Sequence, residues 1–399
     1  MKKTERDAII EHVTQIKHLV HDPNSFLTEL MVQQQQYHSI GWLCHFDVLS
    51  CIPIPPGALL YAEVAARAKV PVSTLRSVAR MAMTAGLLCE TKDGHLGHNP
   101  LSASFIKNVH MRTQLLHMFN QTVPILAGLA RATEKWGDTT APNETAYNLV
   151  NETDLPFFQH LKSRPDVNDN FDAFMRSQAV SHTGSRAEYL LDACDWKALG
   201  DATVVDVGGS SGSTATMLAT AYPKLKLVVE DLAGPVNNAR SRVLELPEEV
   251  RSRIDIVEYD FFTPQPVEGA DVYLLRKILH DWPDATAILI LQGIIEAMRP
   301  SSQLLIMDMV LPKPWSESRT FEAALRQKDL TMKQVFNAKE REVDEWRALL
   351  TKADPRLSIR AIQRPGGSEL SVIVATLGGG SRLELANGVN GHNEDSHSS

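Results

Sequence analysis

Residues 203–377 alternate between strand-like and helical patterns, and this alternation restricts the possible folds more than any other feature of the chain. Short runs rich in valine, isoleucine and leucine predict strands at 203–207, 225–230, 254–259, 272–275 and 304–309. The intervening segments predict helices at 213–221, 235–244 and 285–298. Because strand–helix–strand units place their strands side by side and parallel, we predict an α/β fold with a parallel sheet covered on both faces.

The remaining regions differ in texture from this alternating part. Two more strands, at 357–363 and 370–377, follow a helical insertion at 319–350, and such a terminal pair does not belong to an ordinary dinucleotide-binding sheet. The residues after 377 are rich in glycine, serine, asparagine and acids, which predicts disorder. We therefore predict four regions, at 1–110, 111–195, 196–377 and 378–399.

The first of these regions is predicted to be helical and to contain a winged helix. Helical spacing and proline breaks predict helices at 25–37 and 39–49, after a first helix that ends before Pro23. Further on, a helix at 58–68, a second helix capped by Ser73 and a hairpin at 87–96 follow one another.

A winged helix often binds DNA, so that function has to be weighed. The second helix offers only Arg76 and Arg80 as bases, and the hairpin is not basic. The formal net charge of −8 also opposes nonspecific binding to nucleic acid or to anionic membranes. We therefore favour protein–protein contact for this region, with a ligand-binding regulator as the non-enzyme alternative.

The composition, with 43% hydrophobic and 22% charged residues, is that of a globular protein. No apolar run reaches the length of a membrane span, and the N-terminus lacks the apolar core of a signal peptide. The four cysteines form no Cys-x-x-Cys pair, so we expect reduced thiols, no metal site and a cytoplasmic location.

A glycine-rich segment follows the first strand of the alternating part. It reads Asp-Val-Gly-Gly-Ser-Ser-Gly over 206–212, which is neither a Gly-x-Gly-x-x-Gly motif nor a phosphate-binding P-loop. Two further acids, Asp231 and Asp260, end the next two strands, and Phe261 and Phe262 follow the second of them. Singly, each acid is more often a loop cap. Together they favour a ligand with a ribose, an adenine and a positive charge.

The segment 271–284 ends the fourth strand with a cluster of ionisable groups, which include Arg276, His280 and Asp281. Ligands bind at the carboxyl ends of the strands in open α/β sheets, so a base in this position could meet a substrate. A histidine titrates near neutral pH and can act as that base. Taken alone, His280 is more often a structural residue.

Together these motifs resemble class I S-adenosylmethionine-dependent O-methyltransferases of the plant caffeate type, in their fungal branch. The resemblance covers residues 40–377 and depends most on the HDWPD segment at 280–284 with the KERE segment at 339–342. It implies a Rossmann-like catalytic domain at 196–377, a substrate-pocket region at 111–195, and an N-terminal winged-helix domain that forms a homodimer. Ser210 and the pair Ala233-Gly234 depart from the usual pattern of the family.

The resemblance also implies the roles of individual residues. His280 would be the general base, flanked by Asp308 and Glu340, with Glu342 as a competing candidate for the second flanking role. Phe171 and Met175 are candidates for contact with a small-molecule substrate. The residues implied to bind S-adenosylmethionine are Gly208, Gly209, Asp231, Asp260, Phe261 and Arg276.

The implied reaction is methyl transfer to a phenolic or enolic hydroxyl of a small molecule, which we expect to be a fungal secondary metabolite. It requires no metal, and the chain contains no HExxH motif. The alternative is a methyltransferase-like pericyclase or dehydratase, which would bind the cofactor without transferring its methyl group. Lys339, Arg276 or His117 could then supply hydrogen bonds to a carbonyl group.

Overall fold

The computed structural model describes residues 3–181 and 183–378, which divide into two compact units. Within the described residues, one unit comprises 3–181 with 318–320, and the other comprises 183–317 with 321–378. The predicted disordered tail lies outside the described residues apart from Gly378.

The first unit is mostly helical and contains a small antiparallel sheet in the order β1-β3-β2. Its strands are β1 (Ala58–Leu60), β2 (Cys89–Glu90) and β3 (His95–Gly97). Its helices are α1 (Lys3–Val20), α2 (Pro23–His45), α3 (Val48–Cys51), α4 (Tyr61–Ala68), α5 (Val72–Thr84), α6 (Pro100–Lys107), α7 (Val109–His117), α8 (Val123–Trp136), α9 (Ala146–Val150), α10 (Phe157–Ser163) and α11 (Pro165–Ser181).

Three predictions for this unit are wrong in detail. Residues 58–60 form strand β1 rather than the start of a helix, because Ala58 pairs with Gly97 across the hairpin. Helix α5 begins at Val72 without a side-chain cap from Ser73. The two helices predicted at 25–37 and 39–49 are largely one, because α2 continues to His45 and buries Ser39 inside it.

The second unit is built on a seven-stranded sheet in the order β11-β12-β8-β7-β4-β5-β6. Its strands are β4 (Thr203–Val207), β5 (Lys226–Asp231), β6 (Ile254–Glu258), β7 (Val272–Arg276), β8 (Gln303–Asp308), β11 (Ser358–Gln363) and β12 (Ser371–Thr376). A separate parallel pair is formed by β9 (Val310–Leu311) and β10 (Arg341–Glu342). The helices are α12 (Tyr189–Ala193), α13 (Ser213–Ala221), α14 (Ala233–Leu244), α15 (Glu248–Arg251), α16 (Asp284–Ala297), α17 (Arg319–Phe336) and α18 (Val343–Ala353).

The five strands from β8 to β6 pair in parallel, and β12 runs antiparallel to both β8 and β11. This confirms the predicted α/β fold, including the unusual terminal strand pair. Each of the seven predicted strands overlaps an observed strand. The helical insertion is divided into α17 and α18 by the short strand β10.

Alternate residues of each strand face opposite sides of the sheet, so the unit has two apolar layers. One layer contains Val204, Leu227, Leu274 and Leu305, and the other contains Val205, Val228, Tyr273 and Leu304. Because both faces are covered, the central strands are nearly continuous apolar runs. Polar side chains therefore occur where the strands end.

Candidate active site

The neighbouring strands β4 and β7 mark the point where the strand order of the sheet reverses. From β4 the chain continues outwards to β5 and β6, whereas from β7 it continues to β8 on the other side. In open α/β sheets, ligands bind outside the carboxyl ends of strands at such a switch point. The glycine-rich segment follows β4 and the His280 segment follows β7, so the fold places the two predicted motifs at this edge.

The glycine-rich segment approaches its neighbours too closely for side chains. Gly208 has a φ of 73°, and a Cβ atom there would lie 2.5 Å from Cδ1 of Ile278. A Cβ atom on Gly209 would lie 2.8 Å from Oδ2 of Asp206. The amides of both glycines donate to the carbonyl oxygen of Glu230, at 2.8 and 3.0 Å. These glycines therefore allow a tight turn that packs closely against its neighbours.

Two buried carboxyl groups lie beneath this turn. Asp206 and Glu230 are 2% and 0% exposed, and burial raises the pKa of each to about 7. Among the described residues, Asp206 Oδ2 and Glu230 Oε1 have no hydrogen-bond partner, although Gln265 donates to the other oxygen of Glu230 at 2.9 Å. Asp206 would therefore be stabilised in its ionised form by a cationic ligand.

Asp231 ends β5 and is held by the backbone. Its Oδ2 accepts from the amide of Ser210 at 2.8 Å, and its Oδ1 accepts from that of Leu232 at 2.7 Å. Burial raises the pKa of Asp231, and these two hydrogen bonds oppose the shift. Because a carboxylate oxygen accepts more than one hydrogen bond, both oxygens can still receive a pair of hydroxyls.

The predicted adenine-contacting residues follow β6. Asp260 accepts from the amide of Phe262 at 3.0 Å, which fixes the turn. The ring of Phe261 meets that of Phe262 edge to face at 5.0 Å and that of Trp282 at 5.8 Å. Trp282 lies in the His280 segment, so the aromatic cluster joins the two turns.

Arg276 ends β7, and its guanidinium group is only partly satisfied. Nη2 donates to the carbonyl oxygen of Ser185 at 2.5 Å, whereas the buried Nε has no partner among the described residues. Burial lowers the pKa of Arg276, and Asp206 and Asp308 oppose that shift. An unpaired buried donor is costly, which is consistent with a ligand-binding position.

A sharp turn carries the chain from β7 to His280. Lys277 has a φ of 57°, which is uncommon for a residue with a side chain. A single 3₁₀ turn at Leu279–Asp281 follows and places the imidazole of His280, 8% exposed, against the end of β8. Backbone strain of this kind is concentrated at functional sites.

His280 lies among three carboxyl groups. Its Nδ1 is 2.8 Å from Oε1 of Glu340 and 3.8 Å from Oδ1 of Asp308, whereas its Nε2 is 3.5 Å from Oδ1 of Asp281. Asp308 and Glu340 are 0% and 3% exposed. The short contact assigns a proton on Nδ1 that is donated to Glu340, so Nε2, beside Asp281, is the ring nitrogen that gains or loses the second proton.

The electrostatics of this cluster favour a charged imidazole. Burial alone would lower the pKa of His280, but Glu340, Asp308 and Asp281 together raise it to about 10. Burial raises the pKa of Asp308 to about 7, against the opposing effect of His280. The cluster therefore retains at least one proton at neutral pH. The imidazole of His280 is the group that preferentially carries this proton.

The competing candidate Glu342 is not part of this cluster. It precedes α18 as its N-cap residue, and its nearest ion-pair contact is with Arg326 at 3.6 Å. Glu340, two residues earlier, is the glutamate that contacts His280. The amide of Glu340 donates to Oδ1 of Asp329 at 3.0 Å, which fixes the backbone at that point.

The sequence interpretation missed Arg341 and gave no role to Asp281. Arg341 is fully buried and contacts the segment that carries His280. The only signal in the sequence was its place next to Glu340 in the KERE segment.

The substrate candidates Phe171 and Met175 lie on α11 of the other unit. The centre of the Phe171 ring is 5.1 Å from that of the Phe157 ring, and Met175 is 39% exposed. Their contact with a substrate stays a prediction.

Other classes of site find little support in the described part of the chain. No group of three or more His, Cys, Asp or Glu side chains among the described residues is arranged to hold a metal ion. No described helix has the length and hydropathy of a membrane span. Of the two arginines on the helix that a DNA-binding winged helix would use, Arg80 pairs with Glu90 at 2.9 Å, and Arg76 lies over the ring of Tyr61.

Comparison with known proteins gives a family match over the catalytic region. A family model described as an O-methyltransferase domain matches residues 140–354. The O-methyltransferase fsr2 of Gibberella fujikuroi is 70% identical over 377 residues, which cover 94% of this chain and 97% of that protein. Two solved structures, titled "The structure of LepI complex with SAM" and "A Pericyclic Reaction enzyme", each have a TM-score of 0.75 and 23% identity, with 95% of both chains covered. These two show the fold alone.

Proposed function

Because this chain belongs to the O-methyltransferase family, we propose that it methylates a phenolic or enolic hydroxyl of a small molecule, with S-adenosylmethionine as the methyl donor and His280 as the general base. The family match makes the chain a methyltransferase enzyme. The observation that carries the assignment of the base is the 2.8 Å hydrogen bond between His280 and Glu340 at the switch point of the sheet.

The residues at the switch point fit S-adenosylmethionine. The lack of side chains at Gly208 and Gly209 lets the turn pack directly against Ile278 and Asp206, which keeps the turn tight at the end of β4. The orphaned oxygen of Asp206 and the orphaned Nε of Arg276 suit a ligand with both a cationic and an anionic group, as an amino acid has. Asp231 would hold the ribose hydroxyls, and Asp260 with Phe261 would contact the adenine. When bound, the cofactor supplies an electrophilic methyl group on a positively charged sulfur.

His280 would take the proton of the substrate hydroxyl at Nε2. Its Nδ1–H group donates to Glu340, which fixes the tautomer and the ring orientation. Asp308 and Glu340 stabilise the imidazolium that forms, because both carboxyl groups lie within 4 Å of Nδ1.

The raised pKa of His280 matters for the energetics of this step. A phenol has a pKa near 10 and an ordinary histidine a pKa near 6.5, so proton transfer would be uphill by about 3.5 units, or about 4.8 kcal/mol. The carboxyl cluster raises the pKa of His280 to about 10, which makes proton transfer from a phenol to the neutral imidazole less unfavourable. As a consequence, His280 is protonated at neutral pH before the substrate binds. The rate should therefore increase with pH.

The proposed reaction can be tested by incubating the protein with labelled S-adenosylmethionine and a panel of phenols and polyketides. The methylated product should carry the label and gain the mass of one methylene group. The alternative reaction, a pericyclic rearrangement or dehydration, would leave the cofactor's methyl group in place. The likeness to a pericyclic enzyme is one of fold and does not favour that chemistry here. The intact pair of His280 and Glu340 favours methylation.

The substrate class rests on the same reasoning. We expect an aromatic or enolic fungal secondary metabolite, since the relative fsr2 comes from Gibberella fujikuroi and carries the name of an O-methyltransferase. Phe171 and Met175 lie on an aromatic surface of α11, where the ring of Phe174 stacks on that of His117 at 3.8 Å. Such a surface suits a planar apolar ligand.

The assembly and the location of the protein are also proposals. Helices α1 and α2 carry exposed apolar side chains, including Ile16, Leu19 and Met31 at 61%, 85% and 63% exposure. Exposed apolar surface of this extent is typical of protein–protein interfaces. We therefore propose a homodimer formed through the N-terminal region, in the cytoplasm, with neither nucleic acid nor membrane as partner.

A further inference from the structure

Arg341 is a charged residue that the structure buries completely. Its side chain is 0% exposed, which is costly for a guanidinium group unless its donors are paired. Here they are paired. Nη1 donates to the carbonyl oxygen of Leu279 and Nη2 to that of Trp282, both at 2.9 Å. Nε donates to Oδ1 of Asp284 at 3.0 Å, and the guanidinium carbon lies 5.3 Å from the centre of the Trp346 ring.

The partners of Arg341 lie on both sides of His280 along the chain. Leu279 immediately precedes it, and Trp282 and Asp284 follow it. The guanidinium fork therefore spans the turn that carries the imidazole. Arg341 itself immediately follows Glu340, whose carboxylate contacts the ring of the same histidine. Two consecutive residues thus hold His280: Glu340 contacts its ring, and Arg341 holds the backbone on either side of it.

The backbone of Arg341 is also fixed to β9, the short strand that follows β8. Arg341 pairs with Val310 in the short parallel ladder between β10 and β9. Val310 lies two residues after Asp308 along the chain. The amide of Glu340 is held by Asp329 on the other side. The three members of the cluster, His280, Asp308 and Glu340, are therefore connected through the same point of the chain.

We propose that Arg341 is a positioning residue for the reaction, which holds the turn at 279–284 so that His280 stays between Glu340 and Asp308. This inference rests on the proposed function, because it assumes that His280 is the base. Arg341 acts through the backbone carbonyls of the turn and does not itself touch the substrate. Its requirement is for a planar fork with several donors, which lysine cannot supply.

The test is a set of three variants with two separate measurements. Arg341→Met removes all donors while keeping most of the side-chain volume, and Arg341→Lys keeps the charge without the fork. Arg347→Met is the control, because Arg347 lies on α18, is largely exposed and pairs only with Asp344 in the described structure. The measurements are kcat and KM for methyl transfer, and the titration of the His280 imidazole by NMR with labelled histidine, assigned with His280→Gln.

We expect Arg341→Met to lower kcat about 100-fold, since a displacement of about 1 Å is enough for that loss. KM for the acceptor should change little. The pKa of His280 should fall towards its ordinary value, because Glu340 and Asp308 no longer face the ring at short distance. Arg341→Lys should shift kcat and the pKa in the same direction to a smaller extent, and Arg347→Met should leave both unchanged.

A folded Arg341→Met protein with an unchanged His280 titration and unchanged kcat would overturn the proposal. If that variant does not fold, Asp284→Ala is the second variant, because Asp284 is half-exposed and the loss of its carboxylate removes only one partner of the guanidinium. It should lower kcat and the pKa of His280 by smaller amounts, and no change in either would also overturn the proposal. The NMR titration needs no activity. It therefore separates this inference from the proposed function, which fails if His280→Gln retains full activity.

Discussion

The pKa of His280 links the geometry of the cluster to the reaction at the scale of single residues. Three carboxyl groups raise it to about 10 although the ring is buried. Because the folded-state pKa is raised, the ionised imidazole stabilises the folded protein fully below about pH 6.5, and this contribution is lost as the pH rises towards 10. The same charge that stabilises the fold has to be neutralised before the base can act.

Glu340→Gln should lower the pKa of His280, since it removes the carboxylate nearest to Nδ1 while keeping a group of the same shape. The rising limb of kcat/KM should therefore move to lower pH, and the plateau should fall because the imidazolium is less stable. A pH profile between about 6 and 10 measures both effects. Glu342→Gln is the control, because Glu342 is outside the cluster. An unshifted limb in Glu340→Gln would show that this carboxylate does not tune the base.

Asp206 should make cofactor binding depend on pH. Burial raises its pKa to about 7, so it is largely protonated below that value. Binding of the cationic cofactor favours the ionised form. The affinity measured by calorimetry should therefore increase as the pH rises from about 6 to 8. Asp206→Asn should bind more weakly with little dependence on pH over this range, and an equally steep dependence in that variant would exclude Asp206 as the titrating group.

At the scale of elements, the sequence predicted the sheet well because its strands are continuous apolar runs between turn residues. The predicted strand at 203–207 matches β4 in full, and the one at 272–275 is a residue shorter than β7. The errors in predicted secondary structure occur where tertiary contacts determine the conformation. Residues 58–60 form a strand because they pair with β3 of the hairpin. Helix α2 continues past residue 38, and Ser39 is buried within it instead of starting a new helix.

The candidate site was predictable to the extent that it lies at strand ends. Asp206, Asp231 and His280 lie at or just beyond the carboxyl ends of three neighbouring strands, so the switch point brings them together. The contacts of Arg341 were not predictable, because its partner Asp284 is 57 residues away and only the fold makes them neighbours. The choice between Glu340 and Glu342 likewise depended on how the chain enters β10.

Leu274→Ala should show how much the central strand contributes to stability. Leu274 is 0% exposed in the middle of β7, so loss of its side chain should lower the free energy of unfolding by about 2–5 kcal/mol. Leu289→Ala is the matched control, since Leu289 is 59% exposed on α16 and should change it by no more than about 0.5 kcal/mol. Chemical denaturation measures both. Equal effects would contradict the described packing.

At the scale of the whole molecule, the N-terminal helices predict the state of assembly. Leu19 and Ile16 on α1 are among its most exposed apolar side chains. The double variant Ile16→Glu with Leu19→Glu should shift sedimentation from a dimer towards a monomer, because charges buried in an interface are strongly unfavourable. The same substitutions at the exposed Leu244 and Leu289 are the control. A monomeric parent protein would contradict the proposed dimer.

The central claim is that His280 removes a proton during methyl transfer. The most direct test compares the parent protein with His280→Gln, in the presence of labelled S-adenosylmethionine and an accepted phenol. Loss of a general base should lower kcat by about 10²–10⁴-fold, while cofactor affinity stays close to that of the parent. Label should enter the parent's product together with the mass of one methylene group. Undiminished methylation by His280→Gln, or a product without label that depends on His280, would contradict the account.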